Sequence, residues 1–414
     1  MDVTELNASD RDVIGHVFRW AAASGPPWPQ EGALLPTFSA SPDVQPKLYV
    51  LGSPYGSGTD GRVDEAVGYL DGEQAAIKTA HAAAFNTNIM EEAWTLNRIF
   101  DDLKRQGIGR DVMPVPAFKG WTVVGQGMAG MVMESCLKDL QGVAQGWWGK
   151  GGLFPVKAMF ELMREAVLSL KLIHATGHIH GDQNPRNLML PRDGKFRIQF
   201  VDFCRSRYIG NQTHTEPRFV GRYESMRSTF AYASHWSLMG LEPSYREDIV
   251  GCFWTMLQLV SEDFIERAER ELMELNNVWN DAYMNDEDGP TMTHLCREYV
   301  NARRWGLNDW IAERVTELPV FVGNEFAERV TALHDLVTGL PFGPLQDLED
   351  DMWDAYDVIV DHIDDVLHLF PPGPLLAHAP CVHANGMHEV YEEMGRSMPE
   401  CRSARPMCRA FRHF

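Results

Sequence analysis

The chain has 414 residues, with 37 Lys and Arg against 58 Asp and Glu, for a formal net charge of −21. A hydrophobic share of 44% is that of a folded globular chain, which excludes a mostly disordered polymer and a small disulfide-stapled scaffold. The acidic balance excludes a general binder of nucleic acid or of an anionic membrane surface, because phosphate groups attract positive charge.

Residues 1–46 read as an appendage. Ser9-Asp10 can cap a helix running to about Ala23, Gly25-Pro26-Pro27 breaks it, and 31–46 is a Pro- and Ser-containing linker. Asp2 and Glu5 stand where a signal peptide needs a basic start. From Lys47 the pattern changes to short strands: 48–51, 63–70 and 74–79, separated by turn residues at Gly56-Ser57-Gly58 and Asp71-Gly72. A helix is expected over 88–104, then strands at 121–124 and 131–134. After Gly151-Gly152 the chain turns helical. Val156, Met159, Phe160, Met163, Val167, Leu170 and Ile173 form the apolar stripe of a buried helix that Gly177 ends. A strand is expected at 196–201, and helices at 246–275, 294–317 and 325–340. The cluster Pro371-Pro372-Gly373-Pro374 marks a boundary before a loose tail. The expected division is an appendage (1–46), a small β-rich lobe (47–134), a larger α-rich lobe (135–370) and a tail (371–414).

Seven scattered cysteines, an odd number, point to a reducing compartment, cytoplasmic or nuclear. No run approaches the roughly 18 apolar residues of a membrane span, so membrane insertion is not expected. In the tail, Cys381, His383, His388, Cys401, Cys408 and His413 lack a Cys-x2-Cys pair and read as ordinary tail rather than a zinc site. The basic run of Arg402, Arg405, Arg409 and Arg412 reads as a solvated tail.

Three stretches carry chemistry. Gly56-Ser57-Gly58-Thr59-Asp60-Gly61-Arg62-Val63 has the Gly-x-Gly-x-x-Gly-x-Val pattern between two strands. Glycine there lets backbone amides approach phosphate oxygens. Fifteen residues after Val63, Ala76-Ile77-Lys78 places a Lys where it can reach the α and β phosphates of a nucleotide under that loop. Glu92 lies beside the apolar face of the 88–104 helix, able to pair with Lys78, with Glu91 as the other choice. The third stretch is His180-Gly181-Asp182 followed by Asn187, with Val201-Asp202-Phe203 at the end of a later strand. Phosphoryl transfer to a hydroxyl needs a carboxylate to accept the proton, which Asp182 can supply. It also needs oxygen ligands for Mg2+, which Asn187 and Asp202 can supply.

In order, these residues resemble the eukaryotic protein-kinase family. Ser228-Thr229-Phe230-Ala231-Tyr232-Ala233-Ser234 and the run from Gly240 to Asp248 are similar to the casein-kinase-one and vaccinia-related group, as is His-Gly-Asp at 180–182. The resemblance covers about 47 to 345. It implies an α+β bilobal fold and Ser/Thr phosphorylation of a protein substrate with ATP and Mg2+. Under it, Lys78 would hold phosphates, Asp182 would be the catalytic carboxylate, and Asn187 and Asp202 the metal ligands. Glu134 would lie at the adenine hinge, and Ala76, Val63 and Met189 would wall the base. Thr229 would help hold Asp182, and Asp248 would support the catalytic-loop backbone.

The chain departs from the family in places. Asn184 stands where the family has a Lys, with Arg186 close enough in sequence to compensate. Cys204 replaces the Gly after Asp-Phe, and Pro54 removes a ladder donor from a strand. Gly181 lacks the Arg that would pair with a phosphorylated loop, so activity without loop phosphorylation is expected. Two other readings fit some of these residues: a nucleotide-binding scaffold without turnover, and a small-molecule kinase of the aminoglycoside type, which also uses His-Gly-Asp-x4-Asn. The 228–248 run argues against the latter.

Overall fold

The computed structural model describes residues 31–38, 47–58, 61–124, 128–148, 155–210, 216–220, 232–260, 274, 277–278, 290–342 and 351–370. The helix expected at 10–23, Thr229, the 371–374 boundary and the Cys- and His-containing tail lie outside them. The chain divides into two compact units, residues 1–137 with 199–206, and residues 138–198 with 207–414. The Asp202 stretch therefore groups with the β-rich unit and not with its helical sequence neighbours.

The first unit is a six-stranded antiparallel sheet of β1 (Leu34–Pro36), β2 (Leu48–Ser57), β3 (Gly61–Gly68), β4 (Gln74–Ala80), β5 (Phe118–Val124) and β6 (Met128–Glu134), in the order β1-β2-β3-β4-β6-β5. Strand β1 corrects the linker reading of 31–46: Leu35 is buried against Tyr49, Leu51, Ala66 and Val132. Its Pro36 is tolerated because β1 is an edge strand. Pro54, odd in a strand, sits between two register shifts of β2 against β3, where a ladder donor is dispensable. One face of the sheet buries Ala66, Ala75, Ile77 and Val132. Side chains on the other face include Val63, Ala76, Lys78, Met131 and Met133, by their cross-strand pairings.

Helix α1 (Asn86–Arg105) carries buried Ile89, Glu92, Ala93, Leu96, Ile99 and Leu103, a three-and-four spacing that makes one stripe. Lys104 and Arg105 in its last turn oppose the helix dipole. Strand β7 (Cys136–Asp139) follows β6.

The second unit is helical. After α2 (Leu140–Trp148), α3 (Val156–His174) buries nearly every apolar residue of its stripe. It ends as expected, with Gly177 at φ +80° donating its N–H to the His174 carbonyl at 2.8 Å. Short strands β8 (His178–Ile179) and β9 (Leu188–Pro191) flank the 180–187 loop. The strand expected at 196–201 shrinks to β10 (Gln199–Phe200), because the preceding residues serve other contacts: Ser169 takes the Ile198 carbonyl and Asp193 takes Arg197. Strand β11 (Arg207–Tyr208) pairs with β8.

The short helix α4 (His235–Leu238) precedes α5 (Tyr245–Leu259), which is buried almost throughout and opened by a Ser244–Glu247 capping box.

 Helix α5 spans Tyr245–Leu259, shorter than the 246–275 expected, and residues 261–273 lie outside the described residues. Helices α6 (Pro290–Glu317) and α7 (Val320–Thr338) pack together near their expected positions. Helix α8 (Asp351–Leu367) was not expected from the sequence. It packs on α3 through Tyr356, Ile359, Val360, Ile363 and Val366, and Asp357 and Asp364 pair with Lys171 and Arg164. Among the described residues, no helix is long and apolar enough to cross a membrane.

The three loop glycines differ in what surrounds them. A Cβ on Gly61 would lie 2.4 Å from the Thr79 carbonyl oxygen, whereas one on Gly56 would meet nothing within 4 Å. Gly61→Ala is therefore expected to destabilise the fold by about 1–3 kcal/mol, and Gly56→Ala by less than about 1 kcal/mol. Chemical denaturation of the two variants checks this, and equal midpoints would contradict it.

Candidate active site

In the first unit, β4 brings Lys78 to the sheet face opposite the apolar core, and the α1 stripe brings Glu92 to the same place. Lys78 Nζ donates to Glu92 Oε2 at 2.7 Å and to Asp202 Oδ1 at 2.8 Å. Between the two carboxylates weighed from the sequence, Glu92 is the partner. Lys78 and Glu92 are buried, while the Asp202 side chain keeps 33% of its exposure. Burial alone would depress the Lys78 ammonium, but the charges of Glu92 and Asp202 outweigh it and hold the pKa above the usual lysine range.

Asp202 has φ 66° and ψ 67°, and it is the one non-glycine among the described residues with positive φ. Such a conformation costs on the order of 1–3 kcal/mol and persists only where its surroundings impose it. Here the Lys78 contact helps to hold it. Cys204 lies in the 3-10 turn Phe203–Arg205, with no positive φ that would call for glycine. Burial, then the nearby Asp202 and Glu92 charges, push its thiol pKa up, so it stays protonated.

The glycine loop joins β2 to β3. Gly58 N–H donates to the Gly61 carbonyl at 2.9 Å. His81 Nε2 lies 2.7 Å from the Gly58 carbonyl and 3.1 Å from Ser57 Oγ, a brace that the sequence reading missed. Thr59 and Asp60 lie outside the described residues. Val63 pairs with Lys78 and Ala76 with Met133 across the ladders, so both sit on the Lys78 face. Glu134, at the end of β6, pairs with Arg110 at 2.6 Å and accepts from Ala117 N–H at 3.3 Å.

In the second unit, Asp182 and Asn187 meet. Asn187 Nδ2 donates to the Asp182 carbonyl at 3.0 Å and to Asp182 Oδ2 at 3.2 Å, an orientation that turns its Oδ1 away from Asp182. Asp248 anchors the same loop. Its Oδ2 accepts from His180 N–H at 2.6 Å and its Oδ1 from Gly181 N–H at 2.9 Å. Burial alone would raise the Asp248 carboxyl, but His174 and the loop amides hold it below the usual range.

Gly181 has φ +80°, the left-handed region that favours glycine. Asn184 Oδ1 accepts from Arg186 N–H at 3.0 Å, and Arg186 Nε donates to Gln141 Oε1 at 2.7 Å. That engagement directs Arg186 to α2 and gives no support to its compensating for the Lys that Asn184 replaces. Met189 is half-buried on β9. Thr229, the remaining candidate, lies outside the described residues.

The residues fit a metal-bound nucleotide on three counts. Gly56 has open space where a side chain would stand, Lys78 offers a buried ammonium, and Asp202 has a partly exposed carboxylate.

A model of the protein kinase domain matches residues 49–317, more than half of the chain. The chain belongs to the protein kinase family. It is 28% identical over 162 residues to the serine/threonine-protein kinase GIN4 of Saccharomyces cerevisiae, covering 37% of this chain and 14% of that protein. It is 39% identical over 82 residues to a probable cell division protein kinase of Encephalitozoon cuniculi, covering 20% of this chain and 24% of that one. The chain thus spans less than a quarter of the length of either curated relative. Among solved structures, vaccinia related kinase 3 aligns with a TM-score of 0.53 and 12% identity over 86% of this chain and 95% of that one, which shows a shared fold.

As a kinase-family chain, it has Lys78 as the hub of its first unit. Replacing Glu92 by Ala leaves a buried ammonium with one partner fewer. The variant is expected to lose about 3 kcal/mol of stability in urea unfolding, and a loss within about 0.5 kcal/mol would contradict a buried pair of this kind.

Proposed function

We propose that the chain transfers the γ-phosphate of ATP to Ser or Thr hydroxyls of protein substrates, with Mg2+, in the cytoplasm or nucleus. The observation that carries this reading is the placement of Lys78 between Glu92 and Asp202, beside a glycine loop with open backbone. Lys78 would hold the nucleotide phosphates, with Glu92 fixing the ammonium in place. The backbone at Gly56 would approach phosphate oxygens from the loop, while the Gly58 amide closes the loop on the Gly61 carbonyl. Val63, Ala76 and Met189 would wall the base, and Glu134 would mark the hinge.

Asp182 would accept the proton of the substrate hydroxyl and orient its oxygen, with Thr229 helping to hold it. Asn187, through Oδ1, and Asp202 would hold the metal. Mg2+ there would neutralise the charge that develops on the phosphate oxygens. Family membership supports this division of roles, and so does the Asn187–Asp182 hydrogen bonding. Because these groups position and neutralise, the chemistry asks little else of the protein.

One observation favours a second reading, a nucleotide-binding scaffold with weak or no turnover. Asn184 carries no charge where the family has Lys, and Arg186 is engaged by Gln141. Incubating the full chain with labelled Mg·ATP and, in separate reactions, casein, histone, basic protein or an aminoglycoside separates these readings. Wild type is expected to transfer label to Ser or Thr, and Asp182→Asn to lose at least about 100-fold of the rate. Thermal stabilisation by Mg·ATP without any label would favour the scaffold, and label on an aminoglycoside alone would favour a small-molecule kinase.

A further inference from the structure

Helix α8 lies beyond the residues matched by the kinase-domain model, yet one of its side chains enters the buried network behind the Asp182 loop. Tyr356 is buried, and its hydroxyl hydrogen-bonds His174 Nδ1 at the end of α3. His174 Nε2 lies 2.9 Å from Asp248 Oδ2. Asp248 in turn accepts the N–H groups of His180 and Gly181, the two residues before Asp182. These groups all belong to the second unit.

Donor and acceptor roles along this chain follow from elementary chemistry. An ionised carboxylate only accepts, so His174 must present Nε2–H to Asp248. Burial lowers the His174 pKa despite the Asp248 contact, so the ring is neutral and Nδ1 is an acceptor. Burial, reinforced by Asp248, raises the Tyr356 pKa, so its O–H stays protonated and donates to Nδ1. The opposite tautomer would aim a lone pair at the carboxylate, so Asp248 selects the tautomer. Tyr356 then holds the ring from its other side, by donating to the Nδ1 lone pair.

We propose that Tyr356 is a positioning residue, which holds the His174 ring at Nδ1 and thereby keeps Asp248 and the backbone before Asp182 in place. Two further contacts set its reach: Lys171 pairs with Asp357 at 2.5 Å, and Arg164 with Asp364 at 2.9 Å, along the antiparallel packing of α3 and α8. The C-terminal helix therefore takes part in ordering the loop. The effect on rate rests on the phosphotransfer reading, whereas the hydrogen bond at Nδ1 does not.

The test compares wild type with Tyr356→Phe in the full chain labelled with 15N-histidine, using His174→Gln to assign the resonances. Both proteins are expected to carry a neutral His174 with Nε2–H, and the Phe variant to show the Nδ1 resonance moved toward that of an unbonded ring nitrogen. Loss of one buried hydrogen bond is expected to lower kcat about tenfold, with KM for ATP within about twofold and melting still above the assay temperature. Damage elsewhere in the fold would not move the Nδ1 resonance alone. An unmoved Nδ1 in the variant would overturn the proposal, as would a moved Nδ1 with unchanged kcat. If wild type transfers no phosphate but Nδ1 moves, the Tyr356 hydrogen bond stands and the phosphotransfer reading fails.

Discussion

The first unit is organised around one buried cation. Lys78 leaves water with Glu92 on one side and Asp202 on the other, so burial that would otherwise drive off its proton instead holds it charged. Two carboxylates around one ammonium leave an excess negative charge. That excess falls on Asp202, the partner that keeps contact with solvent. Under the proposed phosphotransfer, a metal cation would be accommodated there and the phosphates of a nucleotide beside Lys78. The strained backbone of Asp202 fits the same constraint, since a relaxed residue would not be held in the left-handed region.

The second unit solves a different problem, that of keeping an irregular loop in one conformation. Its solution is a carboxylate buried at the start of α5. Asp248 takes the two amides before Asp182, and Asn187 then takes the Asp182 carbonyl and carboxylate. The His180 and Gly181 amides and the Asp182 carbonyl, which no strand ladder pairs, find partners in these side chains. Asn184 and Arg186 are the departure: their hydrogen bonds shape the loop and tie it to α2. A positive charge near the γ-phosphate is what the family's usual Lys would add.

Much of this was legible in residue spacing. Glu92 could be assigned to Lys78 because Leu96, Ile99 and the rest of the α1 stripe set which face is buried. Asp248 could be placed behind the loop because the resemblance to a known family carried it there. The strand β1 was not legible, because three residues ending in proline carry no periodicity and owe their structure to pairing with β2. Helix α8 was hidden by the carboxylates between its apolar positions, and its buried face shows only against α3. His174 and His81 were missed for the same reason: a single histidine has no pattern, and its role comes from partners 74 and 23 residues away.

Calorimetric titration of Mg·ATP into the full chain and into Lys78→Met tests the central claim most directly, with a thermal melt to show that the variant is folded. If the buried ammonium serves a nucleotide's phosphates, wild type binds and the variant binds at least about tenfold more weakly. Equal affinity of the two folded proteins, or no binding by wild type, would contradict it.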